Sequence, residues 1–383
     1  MVKTMFYLLQ FALDGNCEKK ELNIDRETWI KIYKLSHKHD LAHIVAYSIK
    51  KLGVAIDDDL WAQFDKEMTI AIFRHERMQY ELDELCRVFE EAQIEHIPLK
   101  GSILRGYYPE PWMRTSCDVD ILVRKNDFKR AVDVLKEELE YEYTGENTHD
   151  AQFWAPSGMH MELHFTLIED YIHPSNIQVL DNVWNDAQPR ENMKYSMEQS
   201  DELFYFYHIA HMAKHLINGG CGIRPFMDLW ILNFRKDFDK NKRDELLQRG
   251  ELLIFEQAAK ALTDVWFSGG EHTDITRNLE YYVFNGGMYG GFENKHLVTR
   301  GKQSNKFVFF WQKVFMPYNN LCFIYPKLEG RKWLYPYYTV RRWIMRIFQG
   351  RVRASVNEVK MANSLSEEKI KQTEGLMKDL GLM

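Results

Sequence analysis

The sequence predicts an α+β fold, a small mixed sheet flanked by N-terminal and C-terminal helical regions. Two observations carry this. Apolar residues recur at helical spacing over residues 1–93 and again over 191–383, whereas residues 94–190 break into short β-branched runs. That middle segment orders its elements as strand, helix, strand, helix, strand, strand, which describes a small α/β unit with a mixed sheet. The expected organisation is a helical region over 1–93, an α/β core over 94–190 and a mainly helical domain over 191–383.

In the first region Trp29, Ile32, Leu35, Leu41, Ile44 and Tyr47 fall near helical spacing, and Gly53 suits the C-terminal stop. Asp59 to Gln93 continues as one or two long helices. IPLKG is a short strand that meets a glycine, and SILRGYYP is a helical turn or two ended by Pro109 and Pro111. CDVDILV is a strand, and Asn126-Asp127 caps the helix DFKRAVDVLKEELEYE. Two strands follow, AQFWAP and GMHMELHFTL, the second alternating Met161, Leu163 and Phe165 against His160, Glu162 and His164. From about residue 200, helices return in DELFYFYHIAHMAKHLING, RPFMDLWILNFRKDF and DELLQRGELLIFEQAAKALTDVW. Residues 285–335 are rich in glycine and aromatics and give no clear assignment. The tail SLSEEKIKQTEGLMKDLG is a charged helix with serine before it.

Hydrophobic content of 45% and aromatic content of 14% are those of a globular chain. A net charge of −6 argues against a general nucleic-acid coat. Cys17, Cys86, Cys117, Cys221 and Cys322 are scattered and never form CxxC, which fits free thiols in a reducing compartment. MFYLLQFAL lacks a small-residue cleavage site, so no signal peptide is expected. No apolar run reaches membrane-spanning length. A cytoplasmic protein is the expectation.

The chemistry gathers at RTSCDVDILV. Side chains two apart on a strand share a face, so Asp118 and Asp120 project together. Like charges held that close are costly without a cation between them. Glu162, on the polar face of a later strand, supplies a third acid if the two strands pair. Carboxylates, water and phosphate oxygens are what Mg²⁺ or Mn²⁺ takes. Three acids can hold two such ions about 3.5–4 Å apart, the usual separation for in-line displacement at phosphorus. Lys100-Gly101-Ser102 lies at a strand-to-helix turn, where glycine lets the backbone approach an anion. Ser102 adds a hydroxyl, Lys100 a charge, and Arg114 can counter charge developing on a phosphoryl group. Each piece alone has a plainer reading, as a solvated loop, a turn or an edge-strand surface residue. Order and setting give the combination its weight.

That order resembles the nucleotidyltransferase superfamily that includes DNA polymerase beta. The stretch IEHIPLKGSILRGYYPEPWMRTSCDVDILV is similar to a large bacterial nucleotidyltransferase family in Leu99-Lys100-Gly101 and in Arg114 with Asp118-Val119-Asp120. Glu162-Leu163-His164, then His208, His215 and Asp228, continue the pattern, and YPKLEGRKWLYPYYTVRRW is like the family's C-terminal portion. The resemblance implies metal-dependent transfer of a nucleoside monophosphate from an NTP to an acceptor hydroxyl, with pyrophosphate leaving. It implies that Asp118 and Asp120 bridge two Mg²⁺ (or Mn²⁺) ions, that Glu162 completes the ion activating the acceptor, and that Gly101 and Ser102 hold the outer phosphates. Residues 102–117 make a longer loop before the acids than the superfamily's usual spacing.

Other readings remain open at this stage. His208, His211 and His215 recur at i, i+3 and i+7, with Lys214 beside them. They are either a metal site of a phosphohydrolase or a helix face beside the active site; no HExxH or HD pair accompanies them. On the second view His208, Lys214 and His215 join Lys100, Gly101, Ser102 and Arg114 as nucleotide- or phosphate-binding residues. A catalytically silent nucleotide-binding partner on the same fold is a third reading, against which the intact acid triad counts. The acceptor is a small molecule, a protein hydroxyl or an RNA end. Residues 327–353 carry eight basic residues and one acid, interleaved with aromatics, and offer an acidic or nucleic-acid contact.

Overall fold

Helix α1 (Val2–Leu13) buries Met5, Phe6, Leu8 and Leu9. Helix α2 (Arg26–Lys38) starts at Asp25, whose carboxylate accepts from the Thr28 N–H. Helix α3 (Ala42–Leu52) ends at Gly53 with φ +68°, the left-handed stop expected of glycine. Helix α4 (Asp58–Glu91) is one helix of 34 residues. The structure, a computed structural model, describes residues 1–168, 173–287, 291–302 and 365–383, together with 315, 318, 321–322, 325–328 and 330–348.

Five strands form the main sheet: β1 (His96–Pro98), β2 (Asp118–Val123), β3 (Glu142–Glu146), β4 (Asp150–Trp154) and β5 (His160–His164). Their order is β1-β2-β5-β4-β3, with β2 and β5 parallel and the other pairs antiparallel. A short helix α5 (Gly101–Leu104) follows β1, and α6 (Phe128–Glu137) links β2 to β3. The alternation of period two sorts the side chains. Val119, Ile121, Met161, Leu163, Ala151 and Phe153 form one core with Ala131 and Leu135 of α6 and with Met78, Leu82, Leu85 and Phe89 of α4. The opposite face carries the acids and histidines. The edge strand β3 was not expected. EYTGE offers no apolar alternation, and its register shifts between Tyr143 and Gly145, so pairing with β4 makes it a strand.

Beyond the sheet come α7 (Pro174–Leu180), α8 (Val183–Asp186) and a two-strand ribbon of β6 (Gln188–Pro189) and β7 (Met197–Glu198). The ribbon spans the expected boundary at 190/191. It is tied to the core because the Glu90 carboxylate accepts the backbone N–H groups of Lys194, Tyr195 and Ser196. Helices α9 (Asp201–Ile217), α10 (Arg224–Arg235), α11 (Lys240–Arg249), α12 (Leu253–Phe267), α13 (Asp274–Gly286) and α14 (Phe292–Lys302) follow. The sequence reads α11 and α12 as one helix, but the chain breaks at Gly250. A Cβ there would lie 2.3 Å from the Phe206 ring, so α9 requires glycine at this point. The helices before and after the sheet share one apolar core, in which Phe6 stacks on Trp266 at 4.6 Å.

Within the basic, aromatic segment, α15 (Tyr335–Phe348) buries Tyr338 beside Leu321 and Leu328 and leaves Tyr337 exposed, and Trp333 in the turn before it is exposed as well. Residues 329 and 349–353 of that segment lie outside the described residues. Helix α16 (Glu367–Asp379) is capped by Ser366, as expected. Among the described residues no helix is long and apolar enough to cross a membrane.

Candidate active site

The parallel register of β2 and β5 sets Asp118 opposite His160 and Asp120 opposite Glu162. Across β5, Gln152 of β4 faces Glu162, and Asp150 faces His164. Rigid strands thus bring all three expected acids to one face, with Asp120 buried and Asp118 and Glu162 half-buried. That face looks across a cleft of about 530 Å³ toward α9 and α10.

Lys100 meets the acids first. The Leu99 N–H donates to the Asp120 carbonyl at 3.0 Å, which brings the end of β1 alongside β2. Lys100 then adopts φ +45°, a backbone conformation that costs a non-glycine residue of order 1–3 kcal/mol unless its surroundings fix it. Its Nζ donates to Asp120 Oδ1 at 2.9 Å, and His164 Nε2 lies 2.9 Å from the same oxygen. Burial opposes the charge on Lys100, but Asp120 and its other neighbours outweigh this and hold the ammonium well above the ordinary lysine range. Burial likewise opposes ionisation of Asp120. Lys100 and His164 outweigh it and hold that carboxyl well below the usual range. At Asp118 the opposing pull of Lys100 and His160 is outweighed. Burial, then the Asp120 charge, push its carboxyl up to about 6.

The site therefore keeps a deficit of positive charge at Asp118, and its donor set fits a divalent cation. Among the described residues, three groups could hold one: Asp118, His160 and Glu162; Asp120, Glu162 and His164; and His149, Asp150 and His164.

Gly101 lines the cleft. A Cβ on it would sit 3.2 Å from Ser116 Oγ, so the close approach of the two segments favours glycine. Ser102 departs from expectation. Its N–H donates to the Leu99 carbonyl at 3.0 Å, its Oγ is buried without a hydrogen-bond partner, and it does not line the cleft. Ser116 lines the cleft instead, with its hydroxyl accepting from Arg105 at 3.1 Å. Arg105 also donates to the Gly101 carbonyl at 2.9 Å and so braces the turn.

The far wall comes from α9 and α10. Arg114 lines the cleft, and its Nε donates to both oxygens of buried Asp228, at 2.8 and 3.0 Å. The Tyr108 hydroxyl donates to Asp228 Oδ1 at 2.6 Å. Asp228 thus fixes the guanidinium. His208, His211, Lys214 and His215 share the face of α9 that lines the cleft. His208 Nε2 donates to the Pro225 carbonyl at 2.9 Å, and burial lowers its pKa. His211 and His215 pair through their Nε2 atoms at 3.0 Å. Burial, then Lys100, hold His211 well below the ordinary histidine range; burial, then Lys214, bring His215 down to about 4. None of these imidazoles belongs to a possible metal group among the described residues. Lys214 and Arg224 carry positive charge on this wall, with the Lys214 pKa brought to about 8 by burial and then Lys100.

Residues 25–268 match the profile of a family described as uncharacterised nucleotidyltransferase. The chain belongs to this family. Among solved structures, the Thermotoga maritima CCA-adding enzyme complexed with tRNA is similar at 10% identity, covering 82% of this chain and 84% of that one. Its TM-score is 0.24, and a likeness at that level carries no argument about site or substrate. No curated protein matches. In this chain, sequence reasoning missed Arg105, Ser116, Asp150 and Gln152, whereas His160 and His164, flanking Glu162 on one strand face, were readable either as helpers of a metal or as residues that only line the cleft. Period-two alternation in AQFWAP points to Gln152 once β4 is paired with β5. No local pattern marks Arg105 or Ser116.

Proposed function

We propose that this chain transfers a nucleoside monophosphate from a nucleoside triphosphate to an acceptor hydroxyl and releases pyrophosphate. The observation that carries this reading is the convergence of Asp118, Asp120 and Glu162 on one sheet face, in a cleft that Lys214 and Arg114 also line. Asp118, Asp120 and Glu162 would hold the divalent ions, Mg²⁺ or Mn²⁺. Bound there, such ions neutralise phosphate charge and lower the pKa of a coordinated hydroxyl. The chain's own residues do the rest. Gly101 allows close backbone approach, Arg114 is pre-oriented by Asp228, and Lys214 offers an ammonium to the phosphates. Lys100, which donates to Asp120 Oδ1, would share that carboxylate with an ion or turn to the triphosphate.

A histidine-based phosphohydrolase has less support, since His211 and His215 are paired with each other through Nε2 and belong to no possible metal group among the described residues. The test uses α-labelled and γ-labelled NTP with protein, RNA and small-hydroxyl acceptors. Label retained on an acceptor from the α position alone, with pyrophosphate released and both lost in Glu162→Gln, is the expected result. Release of inorganic phosphate, or transfer of the γ label, contradicts it. Glu162→Gln should keep NTP affinity within a few-fold, because Glu162 is assigned to the ion that would activate the acceptor rather than the one that would carry the triphosphate.

A further inference from the structure

We propose that Asp118, His160 and Glu162 form a mixed nitrogen–oxygen site for a first-row transition ion of the Mn²⁺ class, with the His160 imidazole as a direct ligand. The inference rests on the assignment of Asp118 and Glu162 as ligands made above, and it adds both a ligand and a metal preference. Three possible groups compete on the polar sheet face. In the group containing Asp120, one oxygen already carries the Lys100 ammonium and the His164 imidazole, both at 2.9 Å. In the group containing Asp150, the carboxylate is closed by His149 Nε2 at 2.9 Å and by the Asn147 amide at 2.8 Å. The Asp118 group lies next to these, half-buried.

Its geometry is set by backbone. Asp118 and His160 are direct register partners on the parallel strands β2 and β5, and Glu162 lies two residues along β5 on the same face. One ligand atom from each lies within 4.8 Å of the others. Ligands bound at about 2.0–2.2 Å to one ion stand about 3–4 Å apart, so small rotations complete the set. The exposed Trp154 indole packs on the His160 ring with centroids 4.9 Å apart, which limits the ring's freedom from the solvent side. Ligands on strands with a packed neighbour are better placed than ligands on a loop.

The donor chemistry then selects the ion. Mg²⁺ favours oxygen ligands and holds its waters, whereas imidazole suits the first-row transition series. Two carboxylates with one imidazole therefore favour Mn²⁺ over Mg²⁺, while leaving positions open to phosphate oxygens.

The experiment is Mn²⁺ titration of the full chain without nucleotide, followed by pulsed EPR for ¹⁴N coupling, with Mg²⁺ competition. Wild type should bind Mn²⁺ at least tenfold more tightly than Mg²⁺ and show imidazole nitrogen coupling. His160→Gln should lose the coupling and about tenfold in Mn²⁺ affinity, with Mg²⁺ affinity changed by less than threefold, while His164→Gln keeps the coupling. Absence of nitrogen coupling in wild type overturns the inference without needing any variant. Coupling lost in His164→Gln but kept in His160→Gln also overturns it, by moving the ion to the Asp120 group. Either outcome leaves the proposed transfer reaction standing if nucleotide binding still needs a divalent ion and Asp118; loss of that requirement would remove the reaction instead.

Discussion

Lys100 and Asp118 divide the charge of the acidic cluster between them. Half-buried Lys100 neutralises buried Asp120, so Lys100→Met should destabilise the metal-free chain by about 3 kcal/mol, the scale of an orphaned buried ion. Added Mn²⁺ should recover part of that loss, because the vacated oxygen becomes available to a cation. Denaturant unfolding with and without Mn²⁺ checks this, and an unchanged midpoint would count against the pair. Asp118 works in the opposite sense. Its carboxyl is raised to about 6 in the folded chain, so ionisation costs stability above that pH. The cost fades as pH falls through 6 and is gone below the ordinary carboxylate value near 4. Metal-free Asp118→Asn should therefore melt above wild type at pH 7.5 and level with it at pH 4. With saturating Mn²⁺ at pH 7.5 the order should reverse, since the variant has lost a ligand. Melting curves under the three conditions decide it.

At the scale of elements, β5 was legible because it alternates apolar residues with an acid and histidines, and β2 because its two acids lead into an apolar, mostly β-branched run. The shared face of Asp118 and Asp120 followed from that period alone. The Lys100–Asp120 contact did not, since it depends on β1 lying antiparallel beside β2. The break at Gly250 was also hidden, because the Phe206 ring that demands it belongs to a different helix. Arg114 and Asp228 show the same limit across 114 residues, where the two halves of one ion pair sit ahead of β2 and within α10. Asp228→Ala leaves a buried guanidinium and the Tyr108 hydroxyl without their partner, a loss of about 3–5 kcal/mol. If Arg114 serves the phosphates, NTP affinity should fall at least tenfold while Mn²⁺ affinity without nucleotide is kept. Calorimetry of both ligands separates the two, and equal loss of both would contradict the role given to Arg114.

Across the whole molecule, helices from both ends of the sequence enclose the sheet, and α4 spans the two main cores, giving Leu60, Phe64 and Met68 to one and Met78, Leu82, Leu85 and Phe89 to the other. Composition and periodicity revealed the helical regions and the strand-rich middle. The shared packing of α1 on α12 was not readable, because apolar spacing marks a buried face without naming what covers it. Phe6→Ala removes the ring stacked on Trp266 and should cost about 3–5 kcal/mol. The loss should lower one common unfolding transition, seen alike by far-UV signal and tryptophan fluorescence; two separated transitions would mean that the helical regions fold independently. The central claim is that clustered carboxylates accept nucleotide only through a metal. Its most direct test is calorimetric titration of NTP into wild type and into Asp118→Ala/Asp120→Ala, each with and without Mn²⁺. Binding is expected for wild type with Mn²⁺, with at least tenfold weaker binding in the other three cases. Equal, metal-independent affinity in both proteins would contradict it.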